Sequence, residues 1–358
     1  MYFTPDDWAR TIETYEAWWA GRLKRPLIRI NQGFSQRPQI TKGTCGDFSK
    51  SPEAVIDELD YNIVHTNHYG DGYPFAYWAF FGPGTLASYL GSPVEPNAET
   101  NTVWFHPLPG EPELSDIHLE LDEKSPWYVR CKDLYWAGVK KWRGRVLMGM
   151  NDIGGELDVV ASLVGTERLL YSLMDEPEEV SRLCEEVHEA WQKAYWEFLS
   201  ILAENNPAYA DWTGLLSRPA YYTQQCDFSY MISPAMFDEF VDPYLRKTSA
   251  TLGHSLYHLD GKGALIHLDK ILAIDGIEAV QWQPGDGAGW GYKWIDVYRR
   301  IRKAGKRMHF IGSPTDFIEV TDDVGAEGMY FSTGFRTEAE RNAYFDRFEA
   351  AGETPYRR

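Results

Sequence analysis

Two reactive side chains alternate at positions 258 and 260. In the run SLYHLDG (255–261), His258 and Asp260 flank one leucine. If the run is a strand, both leave the same face, and an imidazole meets a carboxylate. Such a pair can hold a divalent metal or act as acid and base. The plain alternatives are a structural His–Asp pair, or an aspartate capping the helix after Gly261. Asp152 closes the apolar run RVLMGMND (145–152) just before Gly154-Gly155, so it is either a site acid or a turn residue. Asp227, in QQCDFSYMISP, lies too far upstream of Ser233 to cap the next helix. His258, Asp260, Asp152 and Asp227 form the expected catalytic set, with His258 and Asp260 as the expected metal ligands. The other histidines give weaker signals. His65 and His68 are three apart, His254 ends a helix, His267 follows HLDG inside a helix, and His309 is mid-strand.

The elements that must position these groups alternate regularly from residue 125 onward. Helices are expected over about 126–142, 156–175, 177–204, 233–252, 264–273, 292–303, from Pro314, and over 337–351. Strands are expected at 145–152, 209–215, 255–261, 277–284, 306–313 and 328–334. The first third is less regular. It contains a helix from Thr4 to Ala20, a strand PLIRI (26–30), a helix after Ser51, a Gly- and Pro-rich stretch from Gly70 to Gly91, and strands at 102–108 and 117–121. Repeated strand–helix units with short apolar strands predict a parallel sheet with both faces covered. The expected fold is α/β, a single (β/α)8 barrel over 1–358 with an irregular N-terminal region. No G-x-G-x-x-G follows an early strand, which argues against a doubly wound dinucleotide fold.

In such a barrel the site lies at the C-terminal ends of the strands. Those ends supply Arg29, Trp212, Gln281, Trp282, Gln283, Phe335 and Arg336 as substrate-binding candidates. Asp71, Tyr73 and Tyr230 lean in from loops. Asn31, Asn151, Asp211, Ser313 and Thr333 also fall at strand ends.

Composition bounds the function. The 358 residues hold 53 acidic against 35 basic side chains, a net charge of −18. Nucleic acid and anionic membranes are therefore poor partners, and a small-molecule substrate is expected. Hydrophobic residues at 44% exclude a disordered chain. No stretch of about 18 apolar residues or basic-then-apolar leader is present, so a cytoplasmic location is expected. Four scattered cysteines (Cys45, Cys131, Cys184, Cys226) give neither a disulfide framework nor a zinc ribbon. Aromatic residues make up 15%, with 14 Trp, enough to wall a site with flat faces as well as fill the core.

Four segments carry a family resemblance: NDIGGELDVVASLVGTERLLYSLMDEPEEV (151–180), CDFSYMISPAMFDEFVDPYLRK (226–247), HLDGKGALIHLDKIL (258–272) and HFIGSPTDFI (309–318). Through them the chain resembles the uroporphyrinogen decarboxylase superfamily, which includes the corrinoid-dependent methyltransferases. The resemblance implies a single (β/α)8 barrel. The decarboxylases grip a polycarboxylate with the arginines of an R-Q-A-G-R segment; here RINQGF keeps Arg29 alone. The methyltransferases hold zinc with His-x-Cys and a later Cys. Here His258 stands, Asp260 replaces the first Cys, and Phe335 stands where the second would be. Family zinc–thiolate ligation is thus absent, and a harder divalent metal on His258 and Asp260 is the expectation. The resemblance implies methyl transfer or demethylation with a corrinoid supplied by a partner protein. Alternatives are a lyase that decarboxylates a tetrapyrrole-like or smaller acid using Arg29, and a carbohydrate-processing barrel using paired carboxylates.

Overall fold

The computed structural model describes residues 1–33, 45–77, 84–97 and 102–358. The fold is mixed α/β. Its main sheet has seven strands: β1 (Leu27–Gly33), β2 (Thr66–Gly70), β7 (Tyr221–Gln225), β8 (His254–Asp260), β9 (Ala279–Gln283), β10 (Arg307–Phe310) and β11 (Met329–Ser332). Their order is β2-β1-β11-β10-β9-β8-β7. All pairings are parallel except β1 with β2. A short parallel pair, β3 (Phe75–Ala76) and β6 (Leu147–Met148), and an antiparallel hairpin, β4 (Val94–Asn97) and β5 (Thr102–Phe105), complete the strands among the described residues.

Register sets the site. His258 pairs with Gln225 on one side and Gln281 on the other. Gln281 pairs with His309, and His309 with Tyr330. One polar row therefore crosses five parallel strands. Below it on the same face lies a layer with Tyr221, Leu256 and Ala279. Helix α1 (Pro5–Trp19) closes that end. Thr4 and Asp7 form a capping box and Pro5 takes the first turn. Its indoles reach the strand layer: Trp18 Nε1 donates to the Met329 carbonyl at 3.0 Å and Trp19 Nε1 to Leu216 at 2.9 Å. Trp19 also stacks on His254 at the start of β8. With the N-terminal ends sealed, the open face is the C-terminal one.

Helices cover the other side of the sheet and form the larger core. They include α2 (Pro52–Val64), α3 (Leu86–Tyr89), α4 (Pro126–Trp142), α7 (Pro177–Ala203), α10 (Leu268–Leu272), α11 (Ile295–Lys303), α12 (Pro314–Val324) and α13 (Glu338–Phe348). The helix expected at 156–175 is two, α5 (Glu156–Val164) and α6 (Thr166–Asp175), broken at Gly165 with φ +92°. That expected at 233–252 breaks at Val241, before Pro243, into α8 (Pro234–Phe240) and α9 (Asp242–Thr251). The strand expected at 209–215 is a turn. Asp211 Oδ1 accepts from the Thr213 amide at 3.0 Å, and the nearby strand is Tyr221–Gln225 instead. The run 117–121 is not a strand either. Side chains of the helix over Pro177–Ala203 take up backbone groups that a sheet partner would use: Arg182 donates to the Ile117 carbonyl, and Glu186 accepts from the Leu119 amide. Among the described residues no helix is long and apolar enough to cross a membrane.

Candidate functional site

Asp227, His258 and Asp260 meet above the polar row. One ligand atom from each lies within 4.8 Å of the others. His258 Nε2 is 4.0 Å from Asp227 Oδ1 and 3.9 Å from Asp260 Oδ2. His258 and Asp260 come from one strand at i, i+2. Asp227 arrives from the 3-10 turn Asp227–Met231 that follows β7. Asp158 aims that turn. Its carboxylate accepts from the backbone N–H of Asp227 at 3.0 Å and of Phe228 at 2.7 Å. These are the N–H groups that the start of a helical turn leaves without partners.

His258 is held from two sides. Its Nδ1 donates to Gln281 Oε1. The edge of its ring meets Trp212, with centroids 5.1 Å apart at 86°. Gln281 Nε2 in turn donates to His309 Nδ1 at 2.7 Å. Burial, then the nearby His258 and Arg29, push the His309 pKa down to about 3, so this ring is neutral and accepts. With Nδ1 engaged by Gln281, Nε2 is the nitrogen that faces the two carboxylates. Gln281 therefore acts behind the imidazole, as a support.

The carboxylates crowd one another. Burial pushes the Asp152 pKa up to about 6, offset partly by the Gly154 N–H and reinforced by Asp227. Asp152 joins the cluster through Gln225, whose Nε2 donates to it at 3.1 Å. Burial, and then Asp227, raise Asp158. Burial also raises Asp260, with His258 opposing and Asp227 adding. Negative charge in a partly desolvated space is costly. A cation among Asp227, His258 and Asp260 would relieve all of these groups together. The donor set, one imidazole nitrogen and carboxylate oxygens, suits a divalent cation of borderline or hard character.

A cleft of about 560 Å³ opens beside the cluster. Asp227, Asp158, Gln225, Phe228, Phe105 and Trp104 line part of it. The hairpin β4–β5 thus supplies an aromatic wall. Tyr230 lies over Gly261, where a Cβ would come within 2.7 Å of its ring.

Other expected site residues lie elsewhere. Asp71 is buried in an ion pair with Arg25, its Oδ2 2.8 Å from Nη1, and also accepts from the Ile28 amide. Tyr73 is buried in the layer beneath and donates to the Gly214 carbonyl at 2.7 Å. Trp282 faces away from His258, packed against Trp294, because it alternates with the inward Gln281. Arg29, paired in register with Ser332, lies over the rings of Tyr73 and Phe75, with Asn31 bridging it to His68. Gln283 follows Gln281 on the same face, paired in register with Asp260. Phe335 packs on Tyr344, and Arg336 is exposed. Gln225 and Asp158 are groups that sequence reasoning passed over, and His309 stood only among its weaker histidines. A histidine within the apolar run MHFI marks His309, an acid within the apolar helix ELDVVASLV marks Asp158, and nothing in YYTQQ singles out Gln225.

No protein-family model matches the sequence, and no curated protein matches it. Among solved structures, a methyltransferase from Methanosarcina mazei matches with a TM-score of 0.60 and 13% sequence identity, over 95% of this chain and 99% of that chain. What the two share is the fold, an α/β architecture on a parallel sheet.

Proposed function

We propose that this chain is a small-molecule methyltransferase whose reaction is assisted by a divalent cation on Asp227, His258 and Asp260. The observation that carries the reading is the convergence of those three donors within 4.8 Å. The fold-level likeness to a methyltransferase agrees with it. The architecture of the reading is one (β/α)8 domain over 1–358. Cross-links beyond the main sheet support that closure: Gly149 N donates to Ala76 O at 2.8 Å, and Met150 N to Ala210 O at 2.7 Å. The resemblance to the uroporphyrinogen decarboxylase superfamily adds a methylated corrinoid, brought by a partner protein, as the methyl donor.

A divalent cation held there would supply Lewis acidity toward a thiol or hydroxyl acceptor. The protein does the rest. Asp227 and Asp260 would neutralise the cation's charge, and Gln281 and Trp212 fix the imidazole. Asp152, with a pKa of about 6, is placed to take or hold a proton near neutral pH. Trp104, Phe105 and Phe228 exclude water along the cleft. The lyase reading wants several cations at the mouth, whereas the groups gathered there are carboxylates. The carbohydrate reading wants carboxyl groups across a sugar-sized gap, whereas Asp227 and Asp260 both face one imidazole nitrogen.

The test is chelator-treated protein given Zn²⁺ or Co²⁺, methylcobalamin and a panel of thiols, followed by visible absorption. Demethylation of the corrinoid that depends on the cation and is lost in Asp260→Asn is the expected result. No demethylation with any acceptor would overturn the methyl-transfer reading.

A further inference from the structure

We infer that His309 and Gln281 are positioning residues that hold His258 Nδ1 as the hydrogen-bonding nitrogen and so present Nε2 to the proposed cation. The inference deepens the cation reading above and rests on it.

A carboxamide has a donating end and an accepting end, so it transmits hydrogen-bond polarity between two imidazoles. Here the sequence of bonds runs from His258 Nδ1–H to Gln281 Oε1, then from Gln281 Nε2 to His309 Nδ1. The three residues are register neighbours on β8, β9 and β10, so the backbone holds the chain of bonds in place. Gln281 is 1% and His309 6% exposed, so water does not compete for these atoms. The His309 ring packs on Tyr330 with centroids 4.6 Å apart, which fixes its plane.

Reversing the amide would reverse the outcome. His258 would then accept at Nδ1 and carry its proton on Nε2, facing Asp227 and Asp260. An N–H aimed at a carboxylate closes to about 2.7–2.9 Å when the carboxylate is free to follow. The observed separations are 3.9 and 4.0 Å, too long for hydrogen bonds. The three donor atoms stand apart from one another, all within 4.8 Å. His309 touches none of the three donors, yet through Gln281 it helps hold Nε2 toward their space.

The experiment joins two readouts on the full chain. Nitrogen-15 NMR of the cation-free protein reports the tautomer of His258. Competition with a chelator reports Zn²⁺ affinity. Wild type is expected to carry hydrogen on His258 Nδ1. His309→Phe removes the acceptor, and Gln281→Met removes the amide. Each is expected to give mixed His258 tautomers and to weaken Zn²⁺ binding about 10–100-fold. His309→Asn, which offers an oxygen near the place of Nδ1, should keep affinity within a few-fold of wild type. Hydrogen on Nε2 in the wild type would overturn the inference. So would an unchanged tautomer and affinity in either disrupting variant that folds. If wild type takes up no Zn²⁺, the cation reading fails, and the tautomer measurement alone decides the relay.

Discussion

Asp152 shows how one buried carboxyl couples stability to chemistry. Its pKa of about 6 in the folded chain stands above an ordinary value of 3.8. The native state therefore binds more protons than the unfolded one between those two values. The stabilisation this confers is complete below pH 3.8 and is lost as pH rises through about 6. The two-unit difference corresponds to about 3 kcal/mol. Asp152→Asn keeps an acceptor for the Gly154 amide and removes the titration. Measured by urea unfolding in cation-free buffer, the variant should gain on wild type by up to about 3 kcal/mol between pH 4 and 6.5. Parallel pH curves for the two proteins would contradict the assignment. At neighbouring Asp260 the expectation differs. That side chain is partly exposed and accepts no close side-chain bond, so Asp260→Asn should change stability by less than about 1 kcal/mol while abolishing activity.

Positioning is done by elements, and strand alternation made part of it legible. His258 and Asp260 share a face because they are two apart on β8, and that followed from HLDG alone. Asp227 was readable as a non-capping acid, but its direction depends on Asp158, a contact across 69 residues. Trp282 shows the opposite case. The same alternation that turns Gln281 inward turns Trp282 under Trp294, and an aromatic at a strand end misled because strand ends hold both faces. Strand β7, YYTQQ, was missed because it is buried on both faces and shows no polar alternation. The turn at the end of β8 yields a prediction of its own. Gly261 has φ +81° and ψ 149°, a region open essentially to glycine, and a Cβ there would meet Tyr230 at 2.7 Å. Gly261→Ala should cost about 2–3 kcal/mol in unfolding and weaken cation binding through its neighbour Asp260. A variant with unchanged unfolding midpoint would show that the turn tolerates a side chain.

Across the whole molecule, chain ends and sheet are tied together on the side away from the site. Arg25 grips Asp71 with two nitrogens at 2.8 Å, donates to the Thr354 carbonyl and lies over the Tyr356 ring. This clamp explains why Asp71, in a turn sequence that suggested a loop reaching into the mouth, is structural. Arg25→Leu leaves the Asp71 carboxylate buried without its partner and should destabilise by about 3–5 kcal/mol while leaving the site's donors in place. Equilibrium unfolding checks the first part and Zn²⁺ affinity of the folded variant the second. The fold class was legible because strand and helix punctuation repeats along the chain. The site's supporting row was not, since parallel register between strands 23 and 28 residues apart is set by packing. The proposed cation site of Asp227, His258 and Asp260 is open to X-ray absorption of the Co²⁺-loaded protein. The expected first shell is one imidazole nitrogen with oxygens and no sulfur, and the nitrogen signal should be lost in His258→Ala. A sulfur-containing shell, or a cobalt spectrum that His258→Ala leaves unchanged, would contradict it.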